Sequence, residues 1–144
     1  MIDASEHFRA RLTAEIVENM CQGPLPEAAI AGLRLFNEKR YFEAHEALET
    51  AWRAEPGPIR ELYRGVLQVG VGYYNIQRQK YNGALKMFTS CRRWLDPYPD
   101  TCRGVNIRKL YQDFQRVESE LIRLGPERIA LFDQSLFQPV EYSS

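Results

Sequence analysis

His45, Glu46 and Glu49 put an imidazole and a carboxylate one helical turn apart. A His and a Glu at that spacing can grip one cation, as in metal sites built inside helical bundles. The same imidazole, oriented by Glu49, could instead act as a base. A zincin-type H-E-x-x-H would carry a second His where Glu49 stands. A catalytic zinc also wants a third protein ligand, and the candidates are His7, Glu46 and Glu61. The weak metal candidates are therefore His45 and Glu49. A third possibility is structural: a buried network in which every polar group finds a partner.

These residues need a helix to hold them. On a helix over residues 41–54, Tyr41, Ala44, Leu48, Ala51 and Trp52 share one face, with His45 and Glu49 beside it. The next helix is expected over residues 58–78 and is apolar nearly all round, the pattern of a central helix. Its glycines, Gly65, Gly70 and Gly72, fit places where neighbouring helices press close. One polar stripe survives on it: Glu61, Arg64, Gln68 and Asn75. Buried polar groups need partners, so Glu46 or Glu49 is expected to meet Arg64, and His45 to meet Gln68. The candidate cluster is thus His45, Glu46, Glu49, Trp52, Arg64 and Gln68. An arginine in it favours a buried ion pair, or an anion pocket, over a cation site.

The other elements follow from helix punctuation. Ser5 can cap a first helix over residues 5–21, with Phe8, Leu12, Ile16 and Met20 spaced by four. Further helices are expected over 26–38, 81–95 and 105–124, broken by Gly and Pro. A short helical turn follows near 127–133, and residues 134–144 read as a tail. No strand pattern bounded by hairpin turns stands out. The expected fold class is all-α: a compact bundle of five to six antiparallel helices around a central apolar fourth helix, in one domain over residues 1–144.

Composition narrows the function. Lys plus Arg equals Asp plus Glu, 19 each, so there is no basic surplus for generic nucleic-acid binding. The first residues are charged, with no signal-peptide core, and no apolar run reaches membrane-spanning length. The three cysteines, Cys21, Cys91 and Cys102, are widely spaced and odd in number, which suits a reducing compartment. A cytoplasmic protein is expected. No phosphate loop and no nucleophile elbow is present. No cofactor is strongly implied, and the tyrosine-rich composition is compatible with a homodimer.

A faint internal repeat links two helices. Tyr41-x-x-Ala44-x-x-x-Leu48 recurs forty residues on as Tyr81-x-x-Ala84-x-x-x-Phe88. Large, small, large at helical spacing is what two packed helices need, a device that tetratricopeptide repeats also use. Two copies are few for a solenoid, and a peptide-binding groove between the third and fifth helices is one consequence to look for.

The stretch Phe36-Asn37-x-x-x-Tyr41-Phe42-Glu43-Ala44-His45-Glu46-x-Leu48-Glu49-x-x-Trp52-Arg53 resembles the hallmark segment of the domain-of-unknown-function 309 family. The similarity continues through Arg64-Gly65-x-Leu67-Gln68-x-Gly70-x-Gly72-Tyr73-Tyr74 and Asn82-Gly83-Ala84, over about residues 36–95. It implies a small helical intracellular protein and supplies no activity. His45, Glu46, Glu49, Trp52, Arg64 and Gln68 match the family's motif. Many relatives place a His near the end of the fourth helix, where this chain has Tyr73 and Tyr74, which weakens a metal site further. The expectation is a binding or scaffold domain for a protein or peptide partner; the alternative is a metal-assisted hydrolase or small-anion-binding enzyme using His45 and Glu49.

Overall fold

The computed structural model describes residues 4, 6, 8 and 12–143. Six α-helices follow one another among these residues: α1 (Ala14–Met20), α2 (Glu27–Asn37), α3 (Tyr41–Ala54), α4 (Arg60–Gln77), α5 (Tyr81–Leu95) and α6 (Ile107–Leu124). A two-residue-per-strand hairpin, β1 (Thr101–Cys102) and β2 (Val105–Asn106), precedes α6. Two 3₁₀ segments, Pro126–Leu131 and Gln134–Leu136, follow it. The fold is helical and compact, as the spacing of apolar residues predicts.

The faint repeat proves to be a repeated helical hairpin. α2 with α3, and α4 with α5, carry the same features forty residues apart. Each first helix ends on a left-handed residue, Lys39 (φ 63°) and Gln79 (φ 59°). In each turn the next amide closes back onto the helix: Arg40 N–H donates to Leu35 O at 3.0 Å, and Lys80 N–H to Asn75 O at 2.7 Å. That is the double-bonded helix stop which satisfies the last carbonyls. Ala44 and Ala84, small residues of the two second helices, are wholly buried. The two first helices carry Gly32 and Gly72 at the close approach. A Cβ on Gly32 would fall 2.5 Å from Leu48 Cγ, and one on Gly72 would fall 2.5 Å from Phe88 Cε1. Leu48 and Phe88 are the last large residues of the two matching motifs, so one packing rule is written twice.

α4 is the central helix. It packs between α3 and α5, and Val69 and Tyr73 on it are fully buried. Around Tyr73 the core is aromatic: Phe36, Tyr41, Phe88 and Phe137 all lie within ring-contact distance. Burial holds the Tyr73 and Tyr41 phenols well above the usual range.

Three expectations change here. The first helix is not continuous over 5–21 among the described residues. Leu12 and Thr13 are not helical, and the Thr13 hydroxyl accepts from Ile16 N–H at 3.2 Å, capping α1 afresh. Ser5 and His7 lie outside the described residues. Residues 134–144 are not a loose tail over their described part. Phe137 and Val140 are each 2% exposed, and Phe137 stacks on Tyr73 with ring centroids 4.6 Å apart. Two apolar residues with a proline between them are too few to set a helix or strand period, so the sequence hides their burial. The cysteines also depart from the reducing-compartment reading. Cys21 and Cys102 form a disulfide, with Cα atoms 4.4 Å apart, while Cys91 is free and buried. Nothing in their 81-residue separation announces the pair. The β hairpin brings it about: Arg103 N–H donates to Cys21 O, and Arg103 Nε donates to Met20 O, both at 2.8 Å.

Candidate functional site

The six candidate residues divide into two places. His45 and Glu49 meet on α3, with His45 Nε2 3.3 Å from Glu49 Oε2. Arg53, four residues further, takes the other oxygen of Glu49 at 2.5 Å. Glu46 is exposed, and only its backbone oxygen is engaged, by the Thr50 hydroxyl at 3.1 Å. The expected buried cluster is therefore corrected on this side: the His45 and Glu49 side chains are 35% and 30% exposed. Arg64 meets neither Glu46 nor Glu49, and His45 does not meet Gln68. The Gln68 side-chain oxygen is buried without a hydrogen-bond partner. Among the described residues, no group of three His, Cys, Asp or Glu is arranged to hold a metal ion.

His45, Glu49 and Arg53 form an i, i+4 chain on a partly exposed face, and such pairs contribute little. His45→Ala is expected to cost about 0.5 kcal/mol or less, read from urea unfolding. A loss above about 2 kcal/mol would restore the buried-network view of this histidine.

Arg64 and Trp52 lie in the second place, where α3 ends and α4 begins. Glu61 is the residue that organises it. Glu61 Oε1 accepts from the Trp52 indole N–H at 3.1 Å, and Oε2 lies 3.2 Å from Arg64 Nε. Arg60 Nε approaches the same carboxylate at 3.8 Å. Both guanidinium groups lie 4.5 Å from the Trp52 ring, and Arg64 also lies 4.1 Å from the Trp94 ring. Planar guanidinium over indole is the strongest common form of cation–π contact. Burial lowers the Arg64 pKa, the Glu61 carboxylate pushing the other way.

This place opens into a cleft of about 490 Å³ lined by Ile16, Pro56, Gly57, Pro58, Arg60, Glu61, Arg64 and Trp94, with Ala4 and Phe8 along one wall. Three buried polar atoms in it make no hydrogen bond: Trp94 Nε1, Arg60 Nε, which keeps only its 3.8 Å ion pair with Glu61, and the acceptor Glu61 Oε2, which faces Arg64 Nε at 3.2 Å. Two guanidinium cations and one carboxylate leave one positive charge over. Surplus positive charge beside an indole N–H that makes no hydrogen bond is chemistry that favours an oxyanion over a cation. A larger recess of about 860 Å³ lies between α1 and residues 96–101. Its walls are mostly Leu12, Ala14, Val17, Pro97, Tyr98 and Pro99, and no cluster of cations converges there.

Sequence reasoning found Trp52, Arg64 and Glu61 separately and missed Arg60 and Trp94. The Glu61–Arg64 pair was available from its i, i+3 spacing on one helix. Trp94 comes from α5, and no local spacing links it to α4.

Residues 29–87 match the family described as Domain of unknown function (DUF309). The matched stretch runs from α2 to the middle of α5 and so takes in most of both helical hairpins. The chain is also 38% identical over 72 residues to the protein described as "Uncharacterized protein YpuF" from Bacillus subtilis (strain 168). That alignment covers 49% of this chain and 41% of the relative, so the chain spans less than half of the relative's length. No helix among the described residues is long and apolar enough to cross a membrane.

Proposed function

Taking the family match over most of both hairpins as premise, we propose that the chain is a binding domain that receives an oxyanion, a carboxylate or phosphate group of a partner, in the Arg60–Arg64–Trp94 cleft. The observation that carries this reading is the buried Trp94 Nε1, which makes no hydrogen bond, beside a guanidinium in contact with two indoles. An unsatisfied buried N–H costs about 1–3 kcal/mol, and an incoming oxyanion recovers that loss. The alternative, a metal-assisted hydrolase or anion-binding enzyme at His45 and Glu49, has weaker support, because Arg53 already holds one Glu49 oxygen.

The test titrates the full chain with succinate and, separately, with inorganic phosphate, following the Trp94 indole N–H by NMR. One or both anions are expected to move that signal with a Kd of about 1 mM, or roughly 4 kcal/mol. Succinate alone identifies a carboxylate site, phosphate alone a phosphate site. Arg64→Leu should remove the response. Glu61→Gln, which takes away the competing charge, should tighten it severalfold. An unmoved Trp94 signal with both anions defeats the reading. Binding lost in His45→Ala but kept in Arg64→Leu would transfer the site to α3. A cytoplasmic location would require the Cys21–Cys102 disulfide to be reduced there; alkylation in intact cells before lysis tests it, and a pair found oxidised overturns it.

A further inference from the structure

The segment that the sequence presents as a tail lies in the fold as a bound peptide would. Between Gln134 and Ser143, side chains and backbone of the helical body hold its main chain at successive points. Lys39 Nζ donates to Gln134 O at 3.3 Å, and Lys109 Nζ to Pro139 O at 3.2 Å. Asn37 grips Val140 twice: its Nδ2 donates to Val140 O at 2.9 Å, and its Oδ1 accepts from Val140 N–H at 2.7 Å. The β hairpin continues the grip, Asn106 N–H donating to Glu141 O at 2.9 Å and Ser143 N–H donating to Gly104 O at 3.1 Å. A β-bridge pairs Tyr142 with Val105. These contacts read backbone, whatever the side chains are.

One side chain is read closely. Phe137 enters an aromatic box of Tyr41 and Tyr73, with Phe132 stacked on it at 5.4 Å. Main-chain clamps with an aromatic pocket are how proteins take extended peptides: the clamps supply affinity and the pocket specificity. The clamping residues come from the end of α2 and the turn after it, the start of α3, the last third of α4, the β hairpin and the start of α6. All but those of α6 and the β hairpin belong to the two hairpins. Within each hairpin the two helices press together at a glycine, Gly32 against Leu48 and Gly72 against Phe88, and α3 packs on α4; none of these contacts is made by the segment.

We propose that this cradle is an extended-peptide site, filled here in cis by residues 134–143. In trans it takes a segment of another protein with an aromatic residue followed by proline and an aliphatic residue, spaced as Phe137, Pro139 and Val140. The site is separate from the Arg64 cleft, and neither proposal depends on the other.

The test uses the full chain with a specific protease site inserted after the exposed Leu131. After cleavage, the released fragment is expected to separate on gel filtration while the helical circular dichroism of the body is kept. The body should then bind a synthetic peptide of residues 132–143, and the same peptide with Phe137→Ala should bind at least tenfold more weakly. Asn37→Ala in the body should also weaken binding at least tenfold. In the intact chain, hydrogen exchange should show the Val140 and Ser143 amides opening more readily than those of α4. A body that unfolds once the fragment leaves, a fragment that never exchanges, an Asn37→Ala body that binds equally well, or Val140 and Ser143 amides that exchange only with global unfolding would each overturn the proposal.

Discussion

Glu61→Leu is expected to destabilise the chain by about 3 kcal/mol, the loss that follows when one member of a buried ion pair is removed. The Glu61 side chain is 9% exposed, and three groups depend on it. Trp52 loses the acceptor for its indole N–H, while Arg64 and Arg60 lose the charge that offsets theirs. Neither arginine can turn wholly to water without leaving the Trp52 ring. Glu61→Gln keeps an acceptor for Trp52 and should lose less than the leucine variant. Arg64→Leu added to Glu61→Leu should cost less than the sum of the two single changes, because residues in one network are not additive. Urea unfolding of the unaltered chain and the four variants measures this. Additive losses, or a Glu61→Leu loss under about 1 kcal/mol, would show that the carboxylate is a solvated surface group.

Gly72→Ala is the second large effect, and its sign is the informative part. At an exposed helix position alanine would gain about 1 kcal/mol over glycine. Here the new Cβ would fall 2.5 Å from Phe88 Cε1 and 2.9 Å from Cζ. The ring cannot swing away, since it is fully buried and stacked on Phe114 at 6.0 Å, with Tyr73 also at 6.0 Å. Overpacking of this kind costs about 1–3 kcal/mol, so after the alanine gain a net loss of up to about 2 kcal/mol is expected. Gly32→Ala should lose stability in the same direction against Leu48. Phe88→Leu should recover part of the Gly72→Ala loss in a double-mutant cycle. A melting temperature that rises in Gly72→Ala would mean that the two helices of the second hairpin are not pressed together there.

The helices were legible because their signals are local. Apolar spacing, helix-breaking Gly and Pro, and the all-round apolar pattern of α4 each lie within a few turns of chain. The forty-residue repeat was visible in Tyr, Ala and a large apolar residue. Its depth was hidden, because Lys39 and Gln79 do not look like left-handed turn residues. The candidate site was half legible. The polar stripe on α4 drew attention to Glu61 and Arg64, but the search for partners went to the next helix when the partner stood one turn away. His45 and Glu49 looked buried on a helical wheel, which shows a face without showing where the neighbouring helix stops. Trp94, Cys21 with Cys102, and Phe137 depend on contacts between distant parts of the chain, which no local pattern encodes.

The double grip of Asn37 on Val140 has a consequence for the order in which the molecule is made. The two residues stand 103 positions apart in sequence. Each hairpin instead closes between neighbouring helices, and contacts so near in sequence form quickly. Residues 27–95 have therefore left the ribosome, with both hairpins able to fold, before Phe137 and Val140 have been synthesised. Throughout that interval the box around Tyr73 and the amide of Asn37 face outward without their own strand. A nascent chain of this protein passes through a stage in which its cradle stands open to any other extended segment nearby.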